Sequence, residues 1–310
     1  MAIRIEAKAI VDGYIESLIG GRSENQDFAF SIDVPLGTVV VVCDGMGGMN
    51  GGSVASQLAV KTIIDDVAVA TMADSPSVVL SNAVKHANQV IMETAAATPE
   101  LVGMGTTVVA IIVSKKSAIA TYVGDSRIYQ LRGKKKVFRT FDHSMVFQMV
   151  QAKVLSEEQA RSSSMSNVIT KALGITADLE PEIFELPYFS GDRFLLCSDG
   201  FWGAMPEPEF LKMVTAKGNI EKLLVTTASN VDSLGVAAGG GHDNLTAALF
   251  KVTCNSKLKP KMSTTTKIII GVLSLLLLIS VTFNCITMFG SDDSKATVVE
   301  NEVNTDKSIQ

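Results

Sequence analysis

Gly37-Thr-Val-Val-Val-Val-Cys-Asp-Gly-Met-Gly-Gly48 is the stretch on which the fold turns. Residues 37–43 form a β-rich apolar run of strand length, and it stops at Asp44, after which glycine fills three of four positions. A buried strand ending in a carboxylate and a tight turn aims that carboxylate into a loop from a rigid base. The glycines permit close approach of backbone to a ligand, and the Gly45 carbonyl could itself bind metal.

The pattern recurs. Further apolar runs occupy 106–113, 117–123, 193–197 and 245–252, each bounded by Gly, Asp or Ser. Asp125 follows one in YVGDSR, Asp199 follows another in FLLCSDG, and Asp243 precedes the last in GGHDNL. Asp27, in GRSENQDFAF, stands ahead of a further expected strand. Helical spacing is expected over 53–70, 77–97, 144–160 and 219–234, with a start signal at Ser156-Glu157-Glu158. A pair of long helices after the third strand, followed by more strands, predicts layers of sheet covered by helices rather than regular βαβ alternation. The class is α+β, without internal repeats.

Five aspartates aimed at one place would repel one another and raise their own pKa values, so a cation is expected among them. Oxygen-only ligation without a His or Cys set selects hard ions such as Mg²⁺ or Mn²⁺. Two such ions can acidify a water and clamp a phosphoryl group. Each piece also has a plainer reading. An Asp-Gly pair is commonly a turn, and a lone Arg22 is commonly a solvated charge. DGMGGMNGG lacks both the third glycine of a dinucleotide loop and the GK[ST] of a P-loop. His143 and His242, each beside an aspartate, read equally as loop hydrogen-bonders or as an acid or ligand.

Composition removes other classes. The 310 residues carry a formal charge of -5, with no basic footprint for nucleic acid. Cys43, Cys197, Cys254 and Cys285 are scattered, with no CxxC pair and no disulfide framework, which fits a reducing compartment. Charges recur through the first twenty residues, unlike a secretory signal. Residues 268–289 contain no charge, and 22 residues at ~1.5 Å each span a bilayer core, so a transmembrane helix is expected there. Lys257, Lys259, Lys261 and Lys267 precede it and mostly acidic residues follow, placing the N-terminal side in the cytoplasm. The expected organisation is a soluble domain over 1–253, a basic linker over 254–267, the span, and an acidic tail over 290–310 outside the cell membrane.

The joint order of these motifs resembles the PP2C-like, metal-dependent protein phosphatases, particularly bacterial members. Arg22-Ser-Glu-Asn-Gln-Asp27 resembles R-x-x-N-[EQ]-D, Asp44-Gly-Met-Gly-Gly48 the DG-x-GG loop, and Gly105-Thr-Thr107 the GTT entry. Gly124-Asp-Ser-Arg127, Asp142-His-Ser144, Asn167-Val-Ile-Thr170, Ser198-Asp-Gly200 and Asp243-Asn-Leu245 follow in family order. The resemblance implies a four-layer α-β-β-α sandwich of two antiparallel sheets, and hydrolysis of phosphoserine or phosphothreonine by a metal-activated water. Asp44 would bridge two ions, the Gly45 carbonyl would bind one, and Asp199 and Asp243 would serve the other. Asp27 would act directly or through water, Asp125 with Asp199 would hold a third, weaker ion, and Arg22 would bind phosphate. The segment near 145–167 would be a flap over the site. Gln26 stands where Glu is frequent, and Met46 stands where many eukaryotic members carry His. Gln26 leaves a second reading, a membrane-bound pseudophosphatase that binds or senses without turnover. The anchor makes a membrane-attached Ser/Thr kinase and its targets the expected partners.

Overall fold

The computed structural model describes residues 2–5, 10–47, 51–163, 165, 168–260 and 272–280. One antiparallel sheet contains β1 (Ile3–Arg4), β2 (Val11–Leu18), β8 (Arg127–Arg132), β9 (Lys135–Arg139), β11 (Arg193–Cys197) and β12 (Leu245–Val252), in the order β1-β2-β12-β11-β8-β9. The other contains β3 (Asp27–Val34), β4 (Gly37–Met46), β6 (Val108–Val113), β7 (Ala118–Val123) and β10 (Glu182–Leu186), in the order β10-β7-β6-β4-β3, with β5 (Gly105–Thr106) paired to the end of β4. Every strand pair is antiparallel.

Side-chain parity explains why the central strands read as unbroken apolar runs. Along β4, Val40 and Val42 face the other sheet, while Val39, Val41 and Cys43 face α1 (Gly51–Ala68) and α2 (Pro76–Ala97). Along β11, Phe194 and Leu196 face inward and stack Phe194 on Phe250 of β12 at 5.5 Å. Leu195 and Cys197 face outward to α6 (Glu207–Val214) and α7 (Ile220–Ala237). A strand covered on both faces has no solvent side to mark with polar residues. Three apolar layers therefore hold four structural layers together, helices, sheet, sheet, helices, as expected.

Three expectations shift. The long helix pair follows the fourth strand, because β2 carries Asp12, Glu16 and Ser17 among its apolar residues and does not read as a strand. The stretch 144–160 is two short helices, α3 (Met145–Gln151) and α4 (Glu157–Arg161), separated at Lys153, whose φ is 59°. Ser156 caps α4 with a full capping box, so the start signal there is a new helix and not a continuation. The expected linker begins later than 254. Ser256 N donates to Tyr188 O, Lys257 N to Lys115 O and Leu258 N to Lys116 O, so the compact unit extends to Lys259.

Among the described residues no helix is long and apolar enough to cross a membrane. Within 268–289 only 272–280 are described, and they are helical. The rest of that expected span, the linker beyond Pro260 and the acidic tail lie outside the described residues.

Candidate metal centre

The acids meet at one end of the sandwich because the strands that carry them end there. Asp44 closes the apolar part of β4, Asp125 follows β7, Asp199 follows β11 at the start of α5 (Asp199–Trp202), and Asp243 precedes β12. Arg22, Gln26, Asp44, Gly45, Asp125, Asp199 and Asp243 line a cleft of about 510 Å³. Asp27 is brought to the same end by its pairing opposite Asp44 in the β3–β4 register. It sits behind the cleft wall, 6% exposed, and accepts a 2.8 Å hydrogen bond from Ser198 Oγ.

The backbone around Asp44 is held from several directions. Asp44 N donates to Thr107 Oγ1 at 3.0 Å, and Thr106 Oγ1 donates to Asp44 O at 2.8 Å. Gly45 N donates to Gln26 O, which also accepts from Ser56 Oγ. A Cβ on Gly45 would lie 2.0 Å from Gly52 O, so only glycine fits where this loop crosses the start of α1. Asn244 fastens the Arg22 loop: its Oδ1 accepts from Gln26 N, and its Nδ2 donates to Ile19 O and Glu24 O.

Electrostatics follow from crowding. Burial raises Asp44 well above the ordinary carboxylate value, and the charges of Asp27, Asp199, Asp125 and Asp243 raise it further. Asp125 is raised by burial and then by Asp199 and Asp142. Asp27 reaches about 7, through burial first, although the Ser198 and Thr246 hydroxyls pull against it. Asp199 is raised by burial and by Asp243, with hydrogen bonds involving Asp44 and Gly200 opposing. Its Oδ1 is buried and receives no hydrogen bond. Arg22 offers the nearest counter-charge, 2.9 Å from Asp243, but both side chains are about half exposed, at 52% and 42%.

This donor set fits hard divalent cations. It is all oxygen, it includes an orphaned buried carboxylate oxygen, and positive charge would relieve each raised pKa. Among the described residues no three carboxylate, imidazole or thiolate side chains are closed around one point. Ions that keep most of their water need only one or two direct carboxylates each, so an open arrangement suits them.

The remaining candidates have structural partners. His143 stacks on Tyr122 at 4.6 Å and accepts from Gly124 N through Nδ1. His242 is hydrogen-bonded to Asp232 at 2.8 Å. Asp142 grips the buried Arg127 with two hydrogen bonds of 2.8 and 2.6 Å, and the Arg127 guanidinium lies 3.3 Å over the Trp202 ring. Trp202 Nε1 in turn donates to Asp125 O, so this pair positions one wall of the cleft. Thr106, Thr107, Ser198 and Asn244 carry comparable positioning duties that strand patterns do not disclose. Their signal was adjacency to the acidic motifs.

Comparison with known proteins agrees with this geometry. The family model described as Protein phosphatase 2C matches residues 16–229. The serine/threonine phosphatase stp of Listeria welshimeri is 32% identical over 235 residues, covering 75% of this chain and 88% of its own length. The crystal structure of the serine/threonine phosphatase Stp1 from Staphylococcus aureus superposes with a TM-score of 0.71 at 26% identity, covering 80% of this chain and 97% of that one. The catalytic domain of the serine/threonine protein phosphatase PstP, solved in complex with two manganese ions, superposes with a TM-score of 0.65 at 28% identity, covering 79% and 99%. By its matched sequence, its two covered sheets and the acids gathered at their common end, the chain belongs to the protein phosphatase 2C family.

Proposed function

We propose that the protein removes phosphate from phosphoserine and phosphothreonine in protein substrates by direct attack of water, in a cleft charged with Mn²⁺ or Mg²⁺. The observation that carries this reading is the meeting of Asp44, Asp125, Asp199 and Asp243 with Arg22 around one cleft, with Asp199 Oδ1 buried and lacking a donor. Asp44 with the Gly45 carbonyl would hold one core ion, and Asp199 and Asp243 would help hold the second. Asp125 with Asp199 would offer a third, weaker position, and Asp27 would act from behind through water. Bound divalent cations supply an acidified water and neutralise charge on the phosphoryl group.

The chain's own groups do the rest. Arg22 is exposed enough to leave Asp243 and present its planar fork to phosphate oxygens. Met46 has no proton to give, and neither His143 nor His242 lines the cleft, so the departing hydroxyl takes its proton from water in the cleft. Burial raises the Cys43 and Cys197 thiols, which removes them as nucleophiles and leaves a route without a phosphoenzyme. A binding module without turnover gains no support, since Gln26 lines the cleft beside Asp44, Asp125, Asp199 and Asp243, with Asp27 directly behind. Asp44→Asn and Asp199→Asn should each abolish Mn²⁺-dependent phosphate release from a phosphopeptide while far-UV circular dichroism stays native. Full turnover in either variant would remove the ligand assignment.

The apolar run 268–289 supports a second part of the proposal, a single-pass anchor that keeps the catalytic domain on the cytoplasmic side of the cell membrane. Tethering raises the local concentration of membrane-attached Ser/Thr kinases and their targets, which are the partners this reading names. Recovery of the full chain in the soluble fraction after cell lysis would overturn the anchor without touching the chemistry.

A further inference from the structure

The antiparallel layout separates charge along the strand axis. The cleft acids stand at one end: Asp44 late in β4, Asp125 after β7, Asp199 after β11 and Asp243 before β12. The opposite ends of the same strands, at Gly37, Ala118, Arg193 and Val252, converge on the far pole. Since β12 has eight residues, the poles lie roughly 25 Å apart at ~3.3 Å per residue.

The far pole is basic although the chain as a whole is acidic. Lys115 and Lys116 occupy the β6–β7 turn, Lys134 the β8–β9 turn, Lys135 the start of β9, and Lys257 and Lys259 the segment hydrogen-bonded beside Lys115 and Lys116. All six are exposed, and no ion pair holds any of them among the described residues. Of the acids at this pole, Asp12 pairs with Lys251 at 3.4 Å and Asp192 is gripped by Arg132, while Glu185 and Asp33 accept from Ser117 Oγ and Thr38 Oγ1. Phe189, 40% exposed, adds an aromatic ring at this end, 4.3 Å beneath the Arg132 guanidinium. The compact unit ends here, at Lys259. Only residues 260–267 separate it from the uncharged run 268–289, and eight residues reach at most roughly 28 Å when extended.

We infer that the pole bearing Lys115, Lys116, Lys134, Lys135, Lys257 and Lys259 is a docking surface for an anionic phospholipid bilayer, which turns the acidic cleft away from the membrane. The inference rests on the anchor reading above. Clustered lysines next to a span are drawn to anionic headgroups, and an exposed aromatic beside them suits the interface.

The test uses the full chain reconstituted into neutral phosphatidylcholine vesicles and into vesicles containing about a third phosphatidylserine. Lysine reactivity toward a water-soluble acylating reagent is read by peptide mass spectrometry. Lys115, Lys116 and Lys134 should react several-fold more slowly on the anionic vesicles than on the neutral ones. The protection should vanish in about 0.5 M salt, and at Lys134 it should vanish in the double variant Lys115→Glu/Lys116→Glu, whose turnover of a soluble phosphopeptide should stay unchanged. Equal reactivity on both vesicles would overturn the docking surface, as would protection that survives salt, which indicates burial against an acidic protein segment or a second copy. Retention after alkaline carbonate washing reports on the anchor separately. A chain washed off neutral vesicles refutes the anchor, while the comparison on anionic vesicles still decides the docking surface.

Discussion

Asp27 titrates across the range in which cells operate. Its ordinary value of 3.8 becomes about 7 in the fold, chiefly through burial. Between those values the unfolded chain has released a proton that the folded chain retains, so folding loses stability as pH rises and the loss is complete above about 7. Asp44, Asp125 and Asp199 are shifted in the same direction. The metal-free protein should therefore show a higher urea midpoint at about pH 5 than at about pH 8, and saturating Mn²⁺ should reverse the order. A chelated protein that gains stability with pH would show that these carboxylates are not crowded. The sequence disclosed that Asp27 belongs with the other acids, but not that it stands behind the wall. That place is set by Ser198 Oγ, which arrives from 171 positions away on the other sheet. Nothing local in Asn25-Gln-Asp27 encodes it.

Strands were legible where buried faces are also apolar, whereas β8, buried over 127–131, was missed because Arg127 and Gln130 interrupt its apolar run. The runs at 37–43, 106–113, 117–123, 193–197 and 245–252 coincide with β4, β6, β7, β11 and β12. Strand β9 escaped notice because Lys135, Lys136 and Val137 face solvent and carry no alternating signal. The flap helices were merged because apolar spacing continues across their junction, while the left-handed backbone at Lys153 comes from a non-glycine residue. At this scale the Asp142–Arg127 pair supports the flap side of the cleft. Asp142→Asn leaves a buried guanidinium without its charge partner and should cost about 3–5 kcal/mol. Denaturant melts of Asp142→Asn, and of the double variant with Arg127→Met, read this directly. The double variant should recover part of the loss, and a single variant within about 0.5 kcal/mol of wild type would contradict it.

For the whole molecule, the compact unit reaches Lys259, so a chain ending there should fold alone. It should keep its turnover of a soluble phosphopeptide and its thermal midpoint, yet leave the membrane fraction. Ending at Thr253 instead removes Ser256, whose hydroxyl donates to Tyr188 O and accepts from Tyr188 N, and should lower the midpoint measurably. Equal melting of the two truncations would show the last six residues of the unit to be dispensable. The order of motifs predicted the four layers, while the boundary at 259 depends on backbone pairing that composition does not reveal.

Ser144 and Ile169 form an isolated bridge, flanked by Met145 N donating to Val168 O and Thr170 N to His143 O. The chain between them starts and ends at this pinned neck and is seated on the body through Phe147 against Arg127 and Glu157 on Arg139, and Ile169 is itself a cleft residue. An excursion closed in this way behaves as an interchangeable cassette. Its length and surface can diverge, or be grafted from a relative, while the acids beneath it keep their places, and selection can retune which phosphoproteins enter without rebuilding the chemistry.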